Sequence, residues 1–211
     1  MKITKLGHSC LLVEESDARM LVDPGAFSAF DGLTGLSGIL VTHQHFDHVH
    51  VDKLRPLLQA NPEATLVVDP GTAEQLADAG ISPARTLSDG ETVDIAGVEV
   101  RGFGRDHAPF HPDAPNIVNT GYLIGGRLFH PGDALTVPGF DVEVLAVPIV
   151  APWSNIGQTV DFVRAVKPKV AFPIHDAIIV APAYGIFDGT VQGLGPQDTT
   201  YQRIDDSPLE V

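Results

Sequence analysis

Between residues 42 and 48 the chain reads Thr42-His43-Gln44-His45-Phe46-Asp47-His48, which packs three imidazoles and a carboxylate into one short segment. Side chains two apart in extended or turn backbone point the same way, so His43 and His45 can grip one ion. Asp47 and His48 then face a neighbouring position. Imidazole nitrogens with a carboxylate oxygen suit Zn²⁺ and also accept Mn²⁺ or Fe²⁺. The cluster lies well inside the chain, directly after the apolar run Gly38 to Thr42, so a bound metal explains it better than a run of surface histidines. Three further residues end later β-prone runs: His107 after Arg105-Asp106, Asp133 in His130-Pro131-Gly132-Asp133, and His175 in Phe172-Pro173-Ile174-His175. His111 competes with His107 for one role and otherwise reads as a pocket-wall residue. His8, Asp23 and His130 are candidates for orienting the ligands. Each also has a bland reading, and Asp23 opens an Asp-Pro-Gly turn of the kind repeated at Asp69-Pro70-Gly71. His50, just past the cluster, reads as a solvated or helix-capping residue.

The elements that must position these groups are legible in outline. Residues 2–14 and 19–22 read as short strands, with Glu14 to Arg19 a polar turn. After the strand at Gly38 to Thr42, a helix is expected over Asp52 to Ala60, a strand over Leu66 to Asp69 and a helix over Thr72 to Ala79. Strands are expected near Thr92 to Asp94, Val98 to Phe103, Asn119 to Ile124, Arg127 to His130, Val142 to Pro148 and Val170 to Ile174. Gly125-Gly126 is a two-residue hairpin signal. Asn155 to Val166 carries Ile156, Val160, Val163 and Val166 at helical spacing, and the stretch from Ala181 reads as loop-rich. Strands precede helices in both halves, so two similar units with sheets inside and helices outside are expected, a four-layer αββα sandwich. A three-layer α/β fold shares that pattern. No low-complexity linker divides the chain, and we take residues 1–211 as a single domain.

Composition narrows the function. The 211 residues are 44% hydrophobic and carry a formal charge of -14. A field of that sign repels nucleic acid and anionic membrane surfaces, so neither is an expected partner. Asp205-Asp206-Ser207 near the C-terminus is read as solubilising only. The single cysteine, Cys10, excludes an intrachain disulfide and sits in the apolar run Cys10-Leu11-Leu12-Val13, which favours a buried structural thiol. No apolar run approaches the ~20 residues of a membrane span, and the N-terminus shows no signal-peptide core. A cytoplasmic location is expected.

The histidine cluster resembles the signature of the metallo-β-lactamase superfamily, whose fold is the αββα sandwich. Further landmarks match in order: Leu21-Val22-Asp23-Pro24-Gly25, Arg105-Asp106-His107, Phe129-His130-Pro131-Gly132-Asp133 and Phe172-Pro173-Ile174-His175. Lys5-Leu6-Gly7-His8 and Asn119-Thr120-Gly121-Tyr122 resemble the branch of small bacterial hydrolases that includes the ascorbate-6-phosphate lactonase relatives. The resemblance implies that His43, His45 and His107 hold a first metal, that Asp47, His48 and His175 hold a second, and that Asp133 bridges them. It implies a dinuclear hydrolase in which a bridging hydroxide attacks an electrophilic carbonyl or phosphoryl centre, with Asp47 orienting the nucleophile. There is no room for the added helical domain of thioesterase relatives, nor for the large insertion of nucleic-acid-processing ones. A small cytoplasmic ester, lactone or phosphoester is therefore the expected substrate, with Phe110, His111, Trp153 and Tyr184 candidates for the pocket wall. The alternative is a non-catalytic metal-binding or sensing protein on the same scaffold. Redox diiron chemistry would favour a carboxylate where His45 stands.

Overall fold

The computed structural model describes residues 1–83, 85–204 and 207–211, so the reading of Asp205-Asp206 lies outside the described residues. In chain order the elements are β1 (Lys2–Lys5), β2 (Leu11–Glu15), β3 (Ala18–Val22), β4 (Gly38–Val41), α1 (Val51–Ala60), β5 (Thr65–Val68), α2 (Pro70–Asp78), β6 (Arg85–Thr86), β7 (Thr92–Ile95) and β8 (Val98–Phe103). They continue as β9 (Gly121–Ile124), β10 (Leu128–His130), β11 (Val144–Pro148), α3 (Ile156–Val166), β12 (Val170–Ile174), α4 (Tyr184–Leu194), β13 (Thr200–Tyr201) and β14 (Leu209–Glu210). The strands form two seven-stranded sheets, ordered β14-β1-β2-β3-β4-β5-β6 and β13-β12-β11-β10-β9-β8-β7.

Both sheets are half antiparallel and half parallel. In the first, β14, β1, β2 and β3 pair antiparallel, whereas β3 to β6 run parallel. In the second, β7 to β10 pair antiparallel and β10 to β13 run parallel. The parallel strands β4 (GILV) and β11 (VLAVP) are buried at every residue, as strands covered on both faces must be. Antiparallel β8 (VEVRGF) alternates buried and exposed positions because one of its faces meets water.

Period-two alternation sorts the apolar residues into three layers. Leu11, Val13, Met20, Val22, Leu40 and Val67 of the first sheet meet Val100, Tyr122, Ile124, Val144, Ala146, Phe172 and Ile174 of the second in the central layer. The intervening residues Leu12, Leu21, Ile39, Val41, Leu66 and Val68 face outward onto Leu54 and Leu57 of α1 and Leu76 of α2. On the other side Leu123, Leu145, Val147 and Ala171 pack against Val160, Phe162 and Val163 of α3 and Val191 of α4. This is the four-layer αββα sandwich of two similar halves. Cys10 is buried in the outer layer of the first half, and burial pushes its thiol pKa up, away from reactivity.

Four details depart from the sequence reading. The strand expected through residues 2–14 breaks at 6–10, where Gly7 and His8 both take positive φ. Asp69-Pro70-Gly71 is not a free turn: Asp69 caps α2 through its carboxylate, and Pro70 takes the first helical position, where its missing N–H is harmless. The stretch after Ala181 contains α4, and the short strands β6, β13 and β14 carry no legible pattern. Among the described residues no helix is long and apolar enough to cross a membrane.

Candidate metal centre

The carboxyl ends of the parallel strands converge on one cleft, where open α/β sheets ordinarily place ligands. Asp23 follows β3, Thr42 and the histidine cluster follow β4, Asp133 follows β10 and His175 follows β12. The cluster loop is tied down by backbone hydrogen bonds, from Ala26 N–H to the Phe46 carbonyl and from His50 N–H to the Pro24 carbonyl. Gly25 lies against it so closely that a Cβ there would overlap the Asp47 carbonyl. Gly132, at φ +62°, plays the same part beneath Asp133, since a Cβ would collide with Asn119 Oδ1 and Thr42. Asn119 Oδ1 in turn accepts from the Asp133 N–H at 2.9 Å. Three non-glycine residues of the site, His8, Asp23 and His175, hold left-handed backbone (φ 49°, 48° and 60°), a strain that such sites concentrate.

Two groups of donors result. His43, His45, His107 and Asp133 each place one ligand atom within 4.8 Å of the others, and so do His8, Asp47, His48 and His175. Asp133 stands between the groups: its Oδ1 is 3.1 Å from His48 Nε2, and its Oδ2 is 3.1 Å from His175 Nε2 and 3.4 Å from His107 Nε2. All seven side chains that the resemblance implied as metal-holding are therefore gathered in one place, with His8 beside them.

Hydrogen bonds on the far side of each ring decide which nitrogen carries a proton. His107 Nδ1–H donates to the Ala108 carbonyl at 2.6 Å and His175 Nδ1–H to the Val150 carbonyl at 2.7 Å. His48 Nδ1–H donates to Asp23 Oδ2 at 2.7 Å. Thr42 Oγ1 donates to the same Asp23 oxygen and so is left to accept from His43 Nδ1–H at 3.1 Å. In all four rings Nδ1 carries a proton and Nε2 faces the cleft, where a cation would take the place of any second proton. His8 is the opposite case. Its Nδ1 accepts the Ala177 N–H at 3.2 Å, so Nε2 carries the proton and donates to Asp47 Oδ2 at 3.2 Å. His8 thus orients Asp47 and has no lone pair to offer a cation. His130 is occupied at both nitrogens, donating to the Ser9 carbonyl and accepting from Gly132 N–H. Asp23 also accepts from the Thr42 N–H. His50 caps α1, its Nδ1 accepting from Lys53 N–H.

The electrostatics divide along the same line. Burial, then the neighbouring His48, push His43 well below the ordinary imidazole range, and burial lowers His45 as well. Burial alone would raise Asp133, but the His48 and His175 imidazoles hold it well below the usual carboxylate range. Burial would likewise raise Asp47, but hydrogen bonds from His175 and His8 hold it down. For His175, burial is outweighed by Asp133, which raises it to about 9. Some polar atoms remain without partners although buried. Among the described residues His48 Nε2, His107 Nε2 and Asp133 Oδ1 are such orphans, all aimed into the cleft. Buried polar groups are rarely left unpaired, and divalent cations would satisfy these three together.

The expected pocket wall is altered in two places. Phe110 and Trp153 line the cavity over the donor cluster, and the Trp153 indole N–H donates to Asp133 Oδ2 at 3.0 Å. His111 is exposed and turns to accept from the Asp113 N–H, leaving His107 alone at the site. Tyr184 lies instead under the Arg203 guanidinium, 3.9 Å from ring centre, at the start of α4. The sequence reading missed Thr42 and Asn119 as supports. Thr42 stood in the cluster motif itself, and Asn119 in the Asn119-Thr120-Gly121-Tyr122 run.

A β-lactamase superfamily domain profile matches residues 2–175. The chain belongs to the metallo-β-lactamase superfamily, within its small UPF0173 branch. It is 48% identical over 204 residues to Protein Rv0786c of Mycobacterium tuberculosis, covering 94% of both chains. It is 27% identical over 194 residues to a UPF0173 metal-dependent hydrolase of Xanthobacter autotrophicus, covering 87% of this chain and 75% of the relative. Among solved structures, Igni18, a metallo hydrolase from Ignicoccus hospitalis, matches with a TM-score of 0.76 at 19% identity, covering 100% of this chain and 98% of that one.

Proposed function

We propose that the protein is a dinuclear metal-dependent hydrolase acting on a small molecule. The observation that carries the reading is the set of four imidazoles whose Nδ1 atoms are all hydrogen-bonded away from the cleft, so that their Nε2 atoms meet two carboxylates around one cleft. His43, His45 and His107 would hold one cation and Asp47, His48 and His175 the other, with Asp133 shared. The mixture of nitrogen and carboxylate donors fits Zn²⁺ best, with Mn²⁺ or Fe²⁺ acceptable. Two such cations supply an activated water at neutral pH and a Lewis acid for the attacked oxygen.

The protein's own groups do the rest. Asp47, kept ionised and turned by His8, orients the attacking water and can relay its proton. Asp23 and Thr42 hold His48 and His43 in the required tautomers, and Trp153 steadies the shared Asp133 oxygen. Turnover of ester, lactone and phosphodiester substrates by metal-replete protein tests the reading, with His43→Ala and Asp47→Asn as controls. Cleavage at least ~100-fold above both variants is expected, the scale on which general-base residues act. Metal binding with no cleavage above the variants would overturn it.

A further inference from the structure

The cavity over the donor cluster has a character that the chemistry of the cluster does not require. It encloses about 360 Å³, at the small end for ligand pockets. Beyond the candidate metal-holding groups its wall is apolar: Phe46, Phe110, Pro115, Ile117, Pro152 and Trp153, with Asn116 the single uncharged polar side chain. No lysine or arginine lines it among the described residues. A second cavity of about 350 Å³ shares His107, Ala108 and Trp153 with the first, also has no cationic side chain, and adds the carboxylate of Asp106. Phe46 and Phe110 stand 61% and 62% exposed at the mouth, and Phe27 packs edge-on against Phe46 at 5.4 Å. Large aromatic side chains left in water beside a pocket mark a surface that a ligand covers.

Resting on the hydrolase reading above, we propose that the substrate is an uncharged carboxylic ester or lactone whose acyl part is apolar, and not a phosphorylated or carboxylate-bearing metabolite. The positive charge of bound cations is confined to the reacting end. An anionic substituent reaching along the wall would find no cation to pair with and would lose its hydration, which is expensive without a partner. An alkyl or aryl group in the same place buries itself and covers Phe46 and Phe110. In the reaction water adds to the carbonyl carbon and the acyl C–O bond breaks; an ester yields an alcohol and a carboxylate, a lactone a single hydroxycarboxylate, with one proton released in either case. The carboxylate forms at the reacting end, while its alkyl or aryl group stays against the apolar wall.

The test is a rate comparison with metal-replete protein on p-nitrophenyl esters from acetate to hexanoate. The mono-p-nitrophenyl ester of glutaric acid serves as the charged counterpart of the valerate, and bis-p-nitrophenyl phosphate as the phosphodiester. The proposal expects kcat/KM to rise about fourfold per added methylene until the pocket is full. It expects the glutarate to fall at least ~30-fold below the valerate, and Phe110→Lys, an exposed position, to narrow that gap at least ~fivefold. A flat chain-length series, or a glutarate hydrolysed as fast as the valerate, overturns the proposal. Cleavage of the phosphodiester with no ester cleaved overturns the substrate class while leaving the hydrolase reading standing. If nothing is cleaved above the Asp47→Asn rate, the hydrolase reading itself fails and takes this proposal with it.

Discussion

Replacing Asp23 by Asn tests whether groups behind the ligands decide which nitrogens face the cleft. Asp23 is fully buried, and its carboxylate accepts three hydrogen bonds: from Thr42 N–H, from Thr42 Oγ1–H and from His48 Nδ1–H, at 2.8, 2.8 and 2.7 Å. Its left-handed backbone, φ 48°, suits Asn as well as Asp, so the substitution leaves the main chain undisturbed. One carboxylate oxygen, however, becomes an NH₂ donor. If it faces His48, the ring is driven to the other tautomer, with the proton on Nε2 and no lone pair for a cation. Losing an outer partner of this kind weakens metal binding about 10- to 100-fold, or ~1.4–2.7 kcal/mol. The metal-free protein also loses at least one bond to a charged group, about 2–4 kcal/mol once the unpaired donor is included. For a chain of this size that lowers Tm by roughly 5–15 °C. A competition titration against a chromogenic chelator at pH 7.5, beside a melt of the metal-free protein, reads both. We expect the metal held by His48 to weaken by the stated factor, and the metal held by His43 to weaken with it, because Thr42 loses the same acceptor. Two metals held as tightly as in the wild type, with only the Tm lowered, would refute the tautomer argument.

Other perturbations bear on separate parts of the account. His8→Asn, which also tolerates the left-handed backbone, should lower kcat about tenfold or more while metal content stays at the wild-type value, because His8 only turns Asp47; a metal lost by elemental analysis would make His8 a ligand. Gly25→Ala should displace the cluster loop, costing ~1–3 kcal/mol of stability and most of the activity, as overpacking does; full activity with an unchanged melt would contradict the close approach to Asp47. Asp69, buried at the start of α2, is raised by burial from 3.8 to about 6. Its contribution to stability is thus fully present below pH 3.8 and is lost as pH rises through 6, a loss of up to ~3 kcal/mol. Asp69→Asn keeps the cap and does not titrate, so its Tm relative to wild type should climb between pH 4 and 6.5 and then level off. A relative Tm that falls over that interval would show the sign to be wrong.

How much of this was legible in the sequence depended on how local each signal was. The cluster at His43 to His48 follows a strand buried at every residue, so both its chemistry and its position could be read at once. His107, Asp133 and His175 were legible because each comes shortly after a strand, within four residues of the ends of β8, β10 and β12, which is where a sheet presents side chains to a shared cleft. The helix α4 was hidden by Gly185, Gly189 and Gly193, which weaken intrinsic helix preference. It is held from outside, by Val191 in the outer core layer and by Asp188, which accepts from the Tyr201 hydroxyl and from Arg203. Tyr184 was misread for the same reason: its partner Arg203 lies beyond β13, and nothing nearby in the chain announces the pairing. The choice between His107 and His111 turned on backbone geometry. The bond from His107 Nδ1 to the Ala108 carbonyl aims that ring inward, while His111 is turned to Asp113.

In the proposed function these residues hold two divalent cations on which hydrolysis depends. Elemental analysis of protein purified without chelator or added metal tests it most directly, followed by chelator dialysis and restoration with Zn²⁺. Two equivalents per chain are expected, lost on dialysis together with ester turnover and recovered with it on adding metal. A protein that binds one metal or none in every preparation, or that turns over ester unchanged after the metal is removed, would contradict it.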